Sequence, residues 1–187
     1  MALPIRFDGY IALPNGDISW LREFEGGKED YGYSDFYSTL SAVIMGSKTY
    51  EQALTFGNWP YTNMPTYVIT KHKIDKKFCA HCKLSNLQYN RKFANKPDKS
   101  VIFYNGDLKK LVQDLKKKNE RDVWLVGGSK LVTSFMNQNL IDEYIISIIP
   151  VILREGIPMF KDINHKRRLA LVETKTYSSG IVQLRYH

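Results

Sequence analysis

The fold class of this chain is decided by the stretch Val123-Trp124-Leu125-Val126-Gly127-Gly128-Ser129-Lys130-Leu131. The first four residues are continuously apolar, which is typical of a central strand covered on both faces. Two glycines follow, and the next apolar residues have the spacing of a helix that faces the core: Leu131, Val132, Phe135 and Met136. A buried strand that turns directly into a helix predicts an α/β protein with parallel strands.

The same pattern occurs earlier, at Val43-Ile44-Met45-Gly46-Ser47-Lys48-Thr49-Tyr50. A third strand end, Val68-Ile69-Thr70-Lys71, carries a hydroxyl and an ammonium group. Glycine lets backbone N–H groups approach a ligand, and a helix N-terminus favours an anion. These strand ends together predict a phosphate site in one crevice, although a glycine turn after a strand is by itself more often only a tight corner.

The remaining elements extend this pattern in both directions. We predict strands near Ile5 to Phe7, Thr66 to Thr70, Ser100 to Tyr104, Glu143 to Leu153, Leu169 to Thr176 and Ile181 to Tyr186, with helices over Ser34 to Ala42 and Asp107 to Lys118. Ser178-Ser179-Gly180 is predicted to form the last hairpin turn. The expected architecture is one mixed, mainly parallel central sheet with flanking helices and antiparallel C-terminal strands, in a single domain over residues 1–187.

The chain is basic, with 27 Lys and Arg against 19 Asp and Glu, a formal net charge of +8. Much of the excess lies between Lys71 and Lys118, and it fits either a solvated basic face or an anion-binding surface. Stacking on single-stranded nucleic acid needs aromatic residues among the basic ones, and between Lys71 and Lys83 there is only Phe78. Nucleic acid is therefore not the expected partner.

No apolar run approaches the roughly 18 residues that cross a bilayer, and the first residues lack the regions of a signal peptide. We expect a cytoplasmic protein with no membrane partner. The two cysteines, Cys79 and Cys82, are too few ligands for a tetrahedral zinc site unless His81 or His72 joins them. We predict free thiols and no metal.

Several short motifs occur in order over nearly the whole chain: Asp8-Gly9-Tyr10-Ile11-Ala12, Asn15-Gly16-Asp17, Trp20, Met45 to Tyr50, Thr70, Gly127-Gly128-Ser129, Leu140 to Glu143, and Pro150 to Phe160. This ordered set resembles the dihydrofolate-reductase-like family. The greatest similarity is to stand-alone proteins related to the C-terminal reductase domain of the bifunctional riboflavin-biosynthesis deaminase/reductase. The resemblance implies a dihydrofolate-reductase-like fold, NADPH as cofactor and a homodimer.

The resemblance also implies which residues contact the cofactor. It places Tyr10, Ile11 and Ala12 against the nicotinamide, and Gly46, Ser47, Lys48, Thr49, Thr70 and Lys71 around the diphosphate and adenosine side. It further implies a cis peptide between Gly127 and Gly128, with Ser129, Lys130 and Leu131 presenting backbone donors to the pyrophosphate. For Tyr10, Ile11 and Trp20, packing in the core is an equally good interpretation.

The chain departs from the family pattern at two arginines. Arg6 stands where a small residue is typical, and Arg154 replaces the first glycine of a Gly-x-Gly-x-Pro-x-Phe pattern that ends at Phe160. By resemblance the substrate pocket contains Trp20, Glu25, Arg154 and Phe160. The match around Glu25 is poor, and a surface acid is the better interpretation, so folate is not the expected substrate.

No catalytic residue is predicted, because in hydride transfer the cofactor carries the chemistry and the protein supplies mainly positioning. The leading hypothesis is an NADPH-dependent reductase of a small, heterocyclic substrate. The alternative enzyme is the 5-amino-6-(5-phosphoribosylamino)uracil reductase of riboflavin biosynthesis. A hypothesis of a different class is a non-catalytic protein that binds nucleotides or nucleic acid on the same fold.

Overall fold

The computed structural model describes residues 1–24, 29–56, 58–71, 100–118 and 121–187. Glu25 and the two cysteines therefore lie outside the described residues. The described strands are β1 Ala2–Arg6, β2 Tyr10–Ala12, β3 Leu40–Gly46, β4 Thr66–Ile69, β5 Val101–Tyr104, β6 Asp122–Gly127, β7 Tyr144–Ile149, β8 Ile157–Pro158, β9 Leu171–Thr176 and β10 Val182–Tyr186. The helices are α1 Tyr33–Ser38, α2 Ser47–Ala53, α3 Leu108–Lys118 and α4 Ser129–Asn137, with short 3-10 helices at Ser19–Phe24 and Leu54–Phe56.

The strands form two four-stranded sheets and one two-stranded ribbon. The first sheet is wholly parallel, in the order β5-β4-β3-β6. The second has the order β1-β7-β10-β9, with β1 parallel to β7 and β10 antiparallel to both of its neighbours. The mainly parallel α/β architecture with antiparallel C-terminal strands is thus confirmed, as is the dihydrofolate-reductase-like fold class.

The prediction of one continuous sheet is wrong, because the hydrogen-bonded ladder divides between β1 and β6. At this junction the indole N–H of Trp124, on β6, donates to the carbonyl oxygen of Ala2, on β1, at 2.9 Å. A side chain thus bonds the strand carbonyl at this point. Whether this carbonyl bonds a side chain or a neighbouring strand depends on the tertiary arrangement, so no local sequence pattern predicts it.

The parallel sheet is covered on both faces, as the apolar strands predicted. One face packs Ile44 and Leu125 against α3 and α4, whose inward residues are buried: Leu111, Leu115, Leu131, Val132, Phe135 and Met136. The other face packs Val43, Met45 and Val68 against Tyr50 and Tyr61. The predicted start of α3 is also confirmed, since the Asp107 carboxylate accepts a hydrogen bond from the Lys110 amide at 2.9 Å.

Three predicted boundaries were wrong. The helix predicted over Ser34 to Ala42 ends at Ser38, and Leu40–Gly46 is strand. The Ser41 hydroxyl donates to the Asp122 carbonyl at 3.1 Å, which joins the start of β3 to β6. The first strand begins earlier than expected, since Ala2 already pairs with Ile145. The strand predicted to reach Leu153 stops before Pro150, which has no N–H to give to a ladder.

The C-terminal hairpin was predicted correctly. Gly180 has a φ of +84°, a value that favours glycine, and the Tyr177 amide donates to the Ile181 carbonyl at 3.0 Å. The turn connects β9 to β10, so β9 is the edge strand of the second sheet.

Candidate functional site

Two glycine turns meet at one edge of the parallel sheet. Gly46 ends β3, and Gly127 ends the neighbouring β6, with Met45 paired to Gly127 in the ladder. A Cβ added to Gly46 would lie 3.8 Å from the Gly127 oxygen and 3.8 Å from the Gly128 nitrogen, and a Cβ on Gly128 would lie 3.3 Å from Thr49 Oγ1. The two turns predicted to face one crevice are therefore in contact.

The turn after β6 has the backbone that the resemblance implied. The Gly127-Gly128 peptide is cis, and Gly128 is the residue that precedes the first turn of α4. The first N–H groups of a helix have no acceptor within the helix, and its dipole is positive at this end. The backbone at the start of α4 therefore offers donors to an anion.

Two donor groups at the start of α4 have acceptors within the protein. The Leu131 amide donates to the Gly128 oxygen at 2.9 Å, and the role of Leu131 as a backbone donor to a pyrophosphate stays a prediction. The Ser129 hydroxyl is buried and donates to the Pro158 oxygen at 2.7 Å. The side chain of Ser129 thus connects α4 to β8, and its backbone role at the candidate site stays a prediction.

Lysine residues follow the strand ends at this edge. Lys48 lies in the first turn of α2, Lys71 follows β4, and Lys130 lies in the first turn of α4, and all three are exposed. Because Gly46 pairs with Ile69, Thr70 and Lys71 emerge beside Gly46. The Thr70 amide extends the ladder by donating to the Tyr104 oxygen at 3.0 Å. The edge therefore combines bare glycine backbone with positive charge.

The segment predicted to face the nicotinamide is linked to this edge through β8. Tyr10 and Ala12 of β2 pair antiparallel with Pro158 and Ile157 of β8. The Ser129 hydroxyl holds the same Pro158 from the other side. Ala12 is buried, whereas Tyr10 and Ile11 are half-buried. The structure therefore brings β2 and the start of α4 together on two sides of one short strand.

Sequence reasoning noted Arg6 but did not predict that it is buried. Its side chain is only 1% exposed, and it makes two hydrogen bonds to the Asp8 carboxylate, Nε to Oδ1 at 2.9 Å and Nη2 to Oδ2 at 3.1 Å. Nη2 also donates to the Glu155 oxygen at 2.9 Å, and the guanidinium lies 5.1 Å from the centre of the Tyr10 ring. The available signal was the pair of opposite charges two residues apart at a strand end, a spacing that puts both on one face.

The ion pair also fastens the chain after β7. The Leu153 amide donates to Asp8 Oδ2 at 2.9 Å. Burial by itself would raise the pKa of Asp8, but the hydrogen bonds from Leu153 and Arg6 outweigh burial and hold this pKa below its ordinary value. Asp8 is therefore ionised at neutral pH and holds residues 153–155 against the end of β1.

The residues predicted for a substrate pocket are not assembled around a described cavity. Trp20 is 8% exposed and packs against Ile149 and Ile181, as the core interpretation predicted. Arg154 is exposed and has a φ of +69°, which explains why the family pattern has glycine there. Phe160 is exposed.

A cavity of about 290 Å³ lies at the opposite end of the strands. Its lining includes Leu40 and Asp122, at the starts of β3 and β6, together with Ile145 of β7. None of the residues predicted to bind cofactor or substrate lines this cavity. The cavity is therefore separate from the glycine edge.

Two other kinds of site are absent from the described ranges. There, no helix is both long and apolar enough to cross a membrane. Nor do those residues bring together three His, Cys, Asp or Glu side chains that would hold a metal ion.

The family known as the RibD C-terminal domain matches residues 5–183. The chain belongs to this family. The protein YwjB of Bacillus subtilis (strain 168) is 36% identical to it over 185 residues, which cover 98% of this chain and 94% of YwjB. The RibD-type resemblance of the short motifs is thereby confirmed over nearly the whole length.

Solved structures share the fold at lower identity. A putative riboflavin biosynthesis protein from Shewanella sp. PV-4 has a TM-score of 0.77 and 22% identity, covering 100% of this chain and 96% of that one. A diaminohydroxyphosphoribosylaminopyrimidine deaminase/5-amino-6-(5-phosphoribosylamino)uracil reductase from Thermotoga maritima has a TM-score of 0.65 and 15% identity, covering 99% of this chain and 54% of that one. The RibD-type chain described here thus corresponds to about half of the bifunctional protein.

Proposed function

We propose that this protein is an NADPH-dependent reductase that transfers a hydride to a small heterocyclic substrate. The observation that carries the proposal is the contact between the Gly46 and Gly127-Gly128 turns at the ends of neighbouring parallel strands. A diphosphate must come within hydrogen-bond distance of backbone N–H groups, and glycine is the residue that leaves this backbone bare. Membership of the RibD C-terminal domain family supports a reductase.

The residues at this edge fit a phosphorylated dinucleotide. Gly46 and the start of α4 would hold the diphosphate, and the ammonium groups of Lys48 and Lys71 would hold a 2′-phosphate, which distinguishes NADPH from NADH. Bound NADPH would supply the hydride. Tyr10, Ile11 and Ala12 would support the nicotinamide, because β8 fixes their strand relative to α4. The protein's own contribution is therefore to position the nicotinamide ring and the substrate ring against each other.

The proposal predicts that Gly46→Ala weakens NADPH binding at least about tenfold while leaving the fold intact. The new methyl group would meet only ordinary contacts at 3.8 Å, yet it would cover the backbone where the diphosphate binds. Calorimetric titration with NADPH and with NADH measures both affinities, and thermal unfolding measures stability.

A pair of exposed lysines tests the role of charge at the glycine edge, one of them at the edge and the other, as its matched control, on α3. Lys48→Ala is expected to weaken NADPH binding more than NADH binding, whereas Lys109→Ala, on α3, should change neither affinity. If the unmodified protein binds neither nucleotide, the reductase proposal fails and the non-catalytic hypothesis replaces it.

A second candidate is the 5-amino-6-(5-phosphoribosylamino)uracil reductase reaction named for the Thermotoga maritima protein. Lys130, the exposed lysine at the glycine edge that is not assigned to the cofactor, favours it, because this substrate carries a phosphate of its own. Oxidation of NADPH in the presence of this compound, followed by absorbance, would distinguish it from other heterocycles.

We also propose that the protein is a homodimer joined through β9. This strand is exposed at all six positions, with Leu171 56% and Val172 53% exposed, and no strand of the described residues pairs with its outer edge. Such an edge offers a row of backbone hydrogen-bonding groups. A second copy of the strand satisfies these groups and covers both apolar side chains. Light scattering during size-exclusion chromatography should give twice the chain mass, and Val172→Lys should give a monomer. A monomeric unmodified protein at high concentration contradicts this proposal.

A further inference from the structure

Five buried polar side-chain atoms have no hydrogen-bond partner among the described residues, and two of them are N–H donors of neighbouring side chains. One is Nη1 of Arg6 and the other is the indole Nε1 of Trp20. Buried polar groups almost always have a hydrogen-bond partner, so an unpartnered pair requires an explanation. The proposed reductase mechanism makes no use of either group.

The two donors belong to one cluster. The guanidinium carbon of Arg6 lies 6.0 Å from the centre of the Trp20 ring, so the two side chains are neighbours. The other guanidinium nitrogens of Arg6, Nε and Nη2, donate to Asp8 and to the Glu155 oxygen, so Nη1 is the one left without an acceptor. Trp20 is held by packing against Ile149 and Ile181. The Arg6 donor is therefore held in place before anything binds.

The chemistry of the cluster selects the kind of group that it would bind. The Asp8 carboxylate already accepts hydrogen bonds from Arg6 and from the Leu153 amide. The groups that remain for a ligand are therefore the two N–H donors. The charge of Asp8 compensates that of Arg6, which favours a neutral oxygen over a phosphate dianion. The Tyr10 ring, whose centre lies 5.1 Å from the Arg6 guanidinium, provides a flat wall. A carbonyl oxygen on a flat ring meets all three conditions.

We propose that Arg6 and Trp20 are specificity-determining residues that donate hydrogen bonds to a ring carbonyl oxygen. The proposal rests on the proposed reductase function, because Tyr10, which covers Arg6, is assigned there to the nicotinamide. The oxygen belongs either to the substrate ring or to the carboxamide of the nicotinamide. Both donors are shielded from solvent, so binding requires the 3-10 helix Ser19–Phe24, which carries Trp20, to move aside.

Trp20→Phe is the decisive variant, because it keeps an aromatic ring in the core and removes only the N–H. The matched control is Trp124→Phe, whose indole N–H is already paired with the Ala2 oxygen. Calorimetry with diaminouracil and with tetraaminopyrimidine, each with and without NADP⁺, compares one ring with carbonyl oxygens and one with amino groups in their place. The unmodified protein should prefer diaminouracil, Trp20→Phe should reduce this preference about tenfold, and Trp124→Phe should leave it unchanged.

The cofactor is tested separately, with NADPH and with 2′-phospho-ADP-ribose, which lacks the nicotinamide. If the carboxamide supplies the oxygen, Trp20→Phe weakens NADPH binding and leaves 2′-phospho-ADP-ribose binding unchanged. Arg6→Lys keeps a cation beside Asp8 and removes Nη1, so it should change the same ratio as Trp20→Phe. The inference is overturned if both ratios are unchanged in both variants. Failure of the proposed function would appear instead as absence of NADPH binding by the unmodified protein.

Discussion

Replacing Gly156 with alanine is expected to destabilise the folded protein by about 3 kcal/mol or more, the upper range for overpacking a core. A Cβ at this position would lie 2.3 Å from the Ala12 oxygen and 2.9 Å from the Tyr10 Cβ. Both atoms belong to β2 and cannot move without disturbing its pairing with β8. Urea unfolding followed by fluorescence would measure the loss of free energy of unfolding.

The control for this variant is Gly46→Ala, where the nearest atoms lie at 3.8 Å and no strain is expected. Urea unfolding should therefore show a large loss of stability for Gly156→Ala and little loss for Gly46→Ala, a difference that the sequence alone does not predict. A Gly156→Ala protein with an unfolding free energy close to that of the unmodified chain would show that β2 and β8 are not packed this closely. NADPH binding by any folded fraction should also be weakened, because β2 carries the residues assigned to the nicotinamide.

Gly156 also shows what the sequence could and could not predict. Local patterns were sufficient for the apolar strands and the glycines that end them, because burial and turn geometry act within a few residues. The need for glycine at position 156 arises from Ala12 and Tyr10, which are distant in the sequence. The positive φ of Arg154 is similarly invisible in the sequence, since only the family pattern indicates that glycine suits this position.

The candidate site also combines features that the sequence predicted with features that depend on residues distant in the sequence. The meeting of Gly46 with Gly127-Gly128 followed from parallel strands with glycines at their ends, and the structure contains it. The internal use of the Leu131 amide and of the Ser129 hydroxyl did not follow, because each depends on which acceptor the folded chain brings nearby. The burial of Arg6 depends on the Glu155 oxygen and the Leu153 amide, both contributed by the chain beyond β7.

The second large effect is expected for Asp8→Asn, which should cost about 3 kcal/mol at neutral pH, because removing one partner of a buried ion pair leaves the other charge uncompensated. The Arg6 side chain is fully buried and that of Asp8 is 15% exposed, and the variant also weakens the acceptor for the Leu153 amide. The matched control is Asp142→Asn, which breaks the exposed pair with Lys116 and should cost less than about 1 kcal/mol. Equal losses in the two variants would contradict a structural role for the buried pair.

The pH dependence of the two proteins provides an independent test of the same pair. The pKa of Asp8 is lower in the folded chain than its ordinary value of 3.8, so its ionised form stabilises the fold fully above that value. This stabilisation is lost as the pH falls through the folded-state pKa, where the carboxylate takes up a proton. The difference in unfolding free energy between the unmodified protein and Asp8→Asn should therefore be constant near neutrality and shrink below about pH 4. A difference that stayed constant into strong acid would mean that the ionisation of Asp8 contributes nothing to stability. Packing alone would then hold residues 153–155 against the end of β1.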